Sequence, residues 1–301
     1  VGFGIKIVLN FVIMTTNKKF AVIGDPISHS KSPKLHEQFG DEFELTLSYE
    51  KFQTHVTELE NRVNTLINSG YRGFNITLPL KEEMFRIGML RRYSFSEKAI
   101  RAQSVNTVSI EKSNIFLDNT DGIGLMNSLK KRYGYDILKK NILIIGAGGA
   151  TRGILGPMLD ADPATITVSN RSIEKLILLK NQFDSPLLKF CPLNDLESDS
   201  RFDRNGRKAP YDIIINATSS SVLSGTALIN PEYFSGTDLV VDLFYSNDLT
   251  GFLKTARQYG CKHVIDGFPM LVEQAAESFY IWTGLYPDTD RILSKRDTFF
   301  V

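Results

Sequence analysis

Cysteine is nearly absent. Cys191 and Cys261 are the only two in 301 residues, far apart and with no companion at metal-ligand spacing. That argues against a disulfide framework and fits a reducing cytoplasm. The four histidines, His29, His36, His55 and His263, form no paired motif, so no structural metal is expected. Charge of one sign is also lacking. Lys and Arg total 35 against 34 Asp and Glu, which leaves no surplus to hold a nucleic-acid backbone or an acidic membrane surface. Long apolar runs are missing too. Residues 1–13 are apolar apart from Lys6 and Asn10, but the run is too short to span a bilayer and lacks a small-residue cleavage site. It reads as an extension, residues 1–14, with an added edge strand as the alternative.

What the chain does have is enough apolar residue content, 42%, for two packed cores at 301 residues. Phe20 to Pro26 reads as a buried strand ending in a turn, and Ser-His-Ser-Lys-Ser-Pro supplies hydroxyls that can cap a helix starting near Pro33. Phe43 to Tyr49 alternates like a strand, Val56 to Ser69 has helical spacing, and Gly73 to Thr77 is strand-like before Pro79. A helix over 81–92 follows, then a hairpin of Val105–Ile110 and Ile115–Leu117 around Ser113 and Asn114. A helix from Asp121 to Gly134 leads into strands at 141–146, 164–169, 187–190, 211–217, 238–243 and 262–265, separated by helices. Such alternation predicts a mostly parallel, doubly wound sheet. Asp199 to Pro210, dense in charge, reads as a solvated loop, and Gly267 to Gly284 as one long helix. The fold class expected is α/β with an N-terminal substrate domain (15–122 plus 268–301) and a Rossmann-like nucleotide domain (123–267).

Ile142 to Gly153 is the organising segment: a buried strand, a glycine turn at Gly146-Ala147-Gly148-Gly149-Ala150, and a helix start. Backbone N–H groups and the positive helix end there suit a dinucleotide pyrophosphate. Thr151 stands where the fingerprint usually has Gly or Ala, and Gly156-Pro157 is expected to kink or tighten the helix. The next strand ends in Asn170-Arg171-Ser172, where an NAD site would carry an acid for the ribose hydroxyl. Arg171 there favours a 2′-phosphate, with Ser172 adding a donor and Lys175 a further positive charge. The cofactor expected is NADP.

Asn75-Ile76-Thr77-Leu78-Pro79-Leu80-Lys81 puts polar side chains at alternate strand positions and a lysine at a helix start, where the dipole gives it no advantage. Asp121 lies in the turn between the two domains. The two could shuttle a proton as a hydride moves, or stand as a solvated lysine and a helix cap.

His-Ser-Lys-Ser-Pro at 29–33, Asn-Ile-Thr-Leu-Pro-Leu-Lys at 75–81, Val-Asn-Thr at 105–107, Asn-Thr-Asp-Gly at 119–122, the glycine turn, Asn-Ala-Thr-Ser-Ser at 216–220 and Asp-Gly-Phe-Pro-Met-Leu-Val-Glu-Gln-Ala at 266–275 together resemble the shikimate dehydrogenase family. The resemblance runs from Phe20 to Gly284. It implies NADPH-dependent, reversible reduction of 3-dehydroshikimate to shikimate in aromatic amino-acid biosynthesis, with Lys81 and Asp121 as the catalytic pair. It implies Ser30, Ser32, Thr77 and Tyr245 around the substrate carboxylate, and Asn75, Asn106 and Gln274 on the ring hydroxyls. It also implies Thr218, Gly267 and Met270 at the cofactor, with Phe268 beside the nicotinamide. Each has a plainer alternative: Ser30 and Ser32 as helix caps, Asn75 and Asn106 as turn residues, Tyr245 and Gln274 in packing. The paired serines fit a shikimate-specific enzyme. A broader quinate/shikimate dehydrogenase that also takes NAD, and a non-catalytic NADP sensor on the same fold, remain open. The chain is expected to act as a monomer or homodimer on a small molecule, without nucleic-acid or membrane partners.

Overall fold

The computed structural model describes residues 17–112, 114–198, 211–218 and 229–300. The expected extension, the charged loop, Ser113 of the hairpin and Ser219-Ser220 of the Asn-Ala-Thr-Ser-Ser motif lie outside them. The chain divides into two compact units. The first comprises the chain up to Thr120 with Gln274–Phe299, and the second Asp121–Glu273 with Phe300.

The first unit contains β1 (Lys18–Gly24), α1 (Ser32–Glu42), β2 (Leu47–Gln53), α2 (Leu59–Asn68), β3 (Gly73–Ile76), α3 (Lys81–Arg91), β4 (Ser94–Phe95), α4 (Glu97–Ala102), β5 (Thr107–Glu111) and β6 (Asn114–Asp118). Its six-stranded sheet has the order β2-β1-β3-β5-β6-β4. β1 runs parallel to β2 and β3, whereas β5 runs antiparallel to β3 and β6. A β-α-β beginning therefore continues as a hairpin. Central β3 is buried at all four positions, as a strand covered on both faces must be.

Three local readings change. β2 begins at Leu47, not Phe43. α1 runs to Glu42, Leu45 donates its N–H back to the Gly40 carbonyl at 2.9 Å, and Glu44 turns the chain at φ 55. β4 and α4 were not expected, being too short to show a period. Ser96 caps α4, its hydroxyl accepting the Ala99 N–H at 3.1 Å. Ser30 and Ser32 do not cap α1: Lys31 holds the cap position without a side-chain bond, because Ser32 is already the first helical residue.

The second unit opens with α5 (Asp121–Asn127), which widens into a π turn at Ser128–Arg132 where an unbroken helix to Gly134 was expected. Then come β7 (Asn141–Ile145), α6 (Gly149–Asp160), β8 (Thr165–Asn170), α7 (Ile173–Gln182), β9 (Leu188–Pro192), β10 (Ile213–Asn216), β11 (Leu239–Asp242), α8 (Gly251–Gln258), β12 (His263–Asp266) and the start of α9 (Phe268–Thr283). From Gln274 onward α9 belongs to the first unit, as does α10 (Thr289–Leu293). All six strands are parallel, in the order β12-β11-β10-β7-β8-β9.

Alternate residues of the strands enter two different cores. Ile142, Ile144, Ile213 and Ile215 pack on one face, Leu143, Ile145 and Ile214 on the other. Apolar residues at both parities mark a sheet covered on both sides, the doubly wound arrangement the alternation predicted. Strand order reverses between β7 and β10, the position where such sheets bind ligands beyond their carboxyl ends. Among the described residues, no helix is long and apolar enough to cross a membrane.

Candidate active site

In the first unit, β1 and β3 run parallel, Ser30, Ser32 and Thr77 follow their carboxyl ends, and Asn75 lies within β3. Ser30 donates to Ser32 Oγ at 3.2 Å, and the Ser32 N–H turns back to Ser30 Oγ at 3.3 Å. Asn75, at the third position of β3, is buried. Its Nδ2 donates to the Asn106 carbonyl and to Ser278 Oγ, both at 3.0 Å, while its Oδ1 accepts from Tyr49 at 2.7 Å. Asn106 Oδ1 accepts from the Thr120 N–H at 2.9 Å and from Thr107 Oγ1 at 2.7 Å. Its Nδ2 reaches Thr120 Oγ1 at 2.9 Å and Gln274 Oε1 at 3.2 Å.

Asn75, Asn106 and Gln274 are thus parts of one network, assembled with Thr107, Thr120 and Ser278. Thr107 and Thr120 lie inside motifs quoted from the sequence but were not singled out, and Ser278 is one helical turn past Gln274 on α9, the spacing that puts both on one face. Thr77 is held between strands and helix: its N–H donates to the Ile23 carbonyl and its carbonyl accepts from Leu80, both at 2.9 Å. That turn delivers half-buried Lys81 as the first residue of α3. The Lys81 carbonyl accepts the Val105 N–H at 3.0 Å, tying the start of α3 to the residue before Asn106.

In the second unit, Gly146 sits at φ 114, a conformation closed to ordinary side chains. A Cβ there would also press on the Ala217 carbonyl at 3.0 Å. The ends of β7 and β10 therefore approach closely at the switch point. Thr151, the departure from the glycine fingerprint, is fully buried, and its hydroxyl donates to the Gly146 carbonyl at 2.9 Å, fastening the turn from the helix side. Helix α6 has Gly148 at its cap position and no side-chain cap, and nothing lies within 4 Å of where a Cβ on Gly148 would be. The first N–H groups of this twelve-residue helix, beside Ala147, Gly149 and Ala150, thus carry no side-chain cap, and an uncapped helix N-terminus favours an anion. Pro157 is accommodated inside α6.

At the end of β8, Arg171 and Lys175 are exposed and Asn170 Nδ2 donates to the Ser172 carbonyl at 3.1 Å. Ser172 caps α7 and donates to Glu174 at 2.6 Å, which holds the Glu174 carboxyl below its usual range. At the end of β10, Thr218 gives both its N–H (3.1 Å) and its hydroxyl (2.7 Å) to Asn216 Oδ1. Asn216 Nδ2 in turn donates to Asp242 at 3.1 Å, and the same buried carboxylate receives the Thr250 hydroxyl at 2.7 Å. Half-buried Tyr245 stacks on Phe244 with ring centroids 6.1 Å apart. At Gly267 the backbone of Leu243 comes so close that a Cβ would lie 2.0 Å from its carbonyl oxygen. Met270 is half-buried against the sheet core. Asp121 is buried at the first position of α5.

Family profiles match this chain along its length: "Shikimate dehydrogenase substrate binding domain" at residues 22–108, "Shikimate / quinate 5-dehydrogenase" at 128–229 and "Shikimate 5'-dehydrogenase C-terminal domain" at 267–294. The NADP(+)-dependent shikimate dehydrogenase of Chromobacterium violaceum is 37% identical over 274 residues, 91% of this chain and 96% of that protein. The chain belongs to the shikimate dehydrogenase family. Among solved structures, the shikimate 5-dehydrogenase of Thermus thermophilus, in complex with NADP(H) and shikimate, superposes with a TM-score of 0.77 at 31% identity, covering 93% of this chain and 99% of that one. The Aquifex aeolicus shikimate dehydrogenase gives a TM-score of 0.80 at 28% identity, covering 94% and 98%. The family's two-domain α/β architecture is the one described above.

Proposed function

We propose that the chain is an NADP-dependent oxidoreductase that interconverts shikimate and 3-dehydroshikimate, a step of aromatic amino-acid biosynthesis. What carries the reading is kinship with NADP-dependent shikimate dehydrogenases over more than nine-tenths of both chains. The residues fit the cofactor. The uncapped N-terminus of α6 and the Gly146–Ala150 turn would hold the pyrophosphate, Arg171 with Lys175, Asn170 and Ser172 the 2′-phosphate, and Thr218, Gly267 and Met270 the nicotinamide end. When bound, NADP supplies the hydride acceptor or donor.

The chain's own residues do the rest. Ser30, Ser32, Thr77 and Tyr245 hold the carboxylate, and Asn75, Asn106 and Gln274 read the ring hydroxyls. A site of matched donors and acceptors rejects analogues that leave one unpaired. Lys81 gives the proton to the ketone oxygen as it becomes a hydroxyl, and Asp121 orients that ammonium. On this reading the enzyme works in the cytoplasm, as a monomer or homodimer.

The test is nicotinamide absorbance with shikimate or quinate, each paired with NADP or NAD. Rapid signal for shikimate with NADP is expected. Equal signal with quinate or NAD would mark a broader dehydrogenase, and silence despite NADP binding a sensor. The Lys81→Ala variant is expected to lose about 10²- to 10⁴-fold in kcat with shikimate KM nearly unchanged, the signature of a group used in the transition state. Near-normal turnover would remove Lys81 from the chemistry.

A further inference from the structure

We propose that Tyr49 is a positioning residue that fixes the amide of Asn75 and so pre-orders the shikimate site; this rests on the function proposed above. The Asn106 carbonyl can only accept, and it lies 3.0 Å from the Asn75 amide, so the nitrogen end of that amide must face it. Oδ1 is thereby turned to Tyr49 at 2.7 Å, and the phenol must be the donor. The Tyr49 proton is thereby committed to the Asn75 amide oxygen.

A directional string results. Tyr49 donates to Asn75 and Asn75 to Ser278, which contacts Thr107 at 2.8 Å and Thr120 at 3.3 Å. Tyr49 is the donor that sets which way the Asn75 amide faces among the side chains assigned to the ring hydroxyls. Its position is set by packing: the ring is 5% exposed, lies flat on His36 at 4.5 Å and 6°, and is tilted against Trp282 at 6.4 Å. Burial also holds the phenol's pKa well above its ordinary value, so the donated proton stays in place.

The test compares the full-length wild type with Tyr49→Phe, Asn75→Ala and the double variant, measuring kcat and the KM values for shikimate and NADP. Phenylalanine keeps the stack and removes one oxygen, leaving Asn75 Oδ1 without its donor. Shikimate KM is expected to rise roughly tenfold with NADP KM unchanged. In the Asn75→Ala background the same substitution is expected to change shikimate KM less than about twofold, because Tyr49 acts through Asn75. An unchanged shikimate KM, an equal rise for NADP, or a full tenfold effect in the Asn75→Ala background would each overturn the role. If Tyr49→Phe does not fold, Ser278→Ala releases the other end of the amide and leaves the stack intact. A rise of about threefold in shikimate KM alone is then expected, and no rise would overturn the string. A wild type unable to oxidise shikimate would bring down the functional reading and this role with it, whereas an active wild type with an indifferent Tyr49→Phe brings down the role alone.

Discussion

His36 is 1% exposed, stacked on Tyr49 and set edge-on to Phe39 at 5.6 Å, with Trp282 at 5.2 Å. Such surroundings cannot solvate an imidazolium, and burial lowers its pKa from 6.5 to about 3, with Asn75 opposing weakly. The unfolded chain takes up this proton near pH 6.5 and the folded chain does not. The group's contribution to stability is therefore complete above pH 6.5 and is lost as pH falls from there toward 3. The slope for one such group is about 1.4 kcal/mol per pH unit, so between pH 6.5 and 4.5 the wild type should lose about 2 to 3 kcal/mol more than His36→Phe. Urea midpoints of both proteins at the two pH values measure this, and equal losses would show that His36 is not the acid-sensitive group. At this scale the buried network was partly legible. Asn75 and Asn106 sit in short motifs whose spacing is local. Tyr49 and Ser278 were not, because they join the network only after distant segments pack.

Between strand and helix, the turns at the carboxyl ends of β7, β10 and β11 determine where the residues proposed for the cofactor stand. The β7-turn-α6 junction is readable because apolar run, glycines and helix start follow one another in the chain. The Asp242 crosslink is not, since a lone Asp ending the run Leu239-Val240-Val241 looks like an ordinary strand stop until β10 is placed beside it. That carboxylate holds Asn216, Thr250 and the Phe244 N–H at 3.2 Å, and Asn216 holds Thr218. Asp242→Asn puts an amide among donors that need an acceptor. It is expected to cost roughly 1 to 3 kcal/mol in denaturant unfolding. It should also raise NADP KM more than shikimate KM, because the Asn216 to Thr218 turn loses its anchor. A stable variant with unaltered NADP KM would show that the turn holds without Asp242. β2 was displaced by four residues for a related reason. Alternation alone could not show that α1 and its turn consume Phe43 to Thr46.

For the whole chain, β-α alternation predicted the class of fold, but strand order depends on pairings far apart in sequence and no local period encodes it. The hairpin of β5 and β6 was readable, but its antiparallel docking on β3 and the reversal between β7 and β10 emerged only from the structure. The two units also differ in how the chain builds them. The second is one continuous segment, Asp121–Glu273, containing its complete six-stranded sheet, while the first needs Gln274–Phe299 to finish its core. That later segment contributes Phe279 against Phe39 and Phe43, and Trp282, which stacks on Phe20 at 4.8 Å and donates to the Val108 carbonyl at 2.9 Å. A fragment of residues 121–273 is therefore expected to melt cooperatively on its own, and NADP at a hundred times its Kd should stabilise it by about 2.7 kcal/mol. A fragment of residues 15–120 is expected to show no cooperative transition until a 274–299 peptide is added. Trp282 is the only tryptophan in the chain and lies in that peptide, so its emission should shift to the blue as the peptide docks. Cooperative melting of 15–120 by itself, or an unchanged Trp282 emission on mixing, would show that the first unit's core closes without α9.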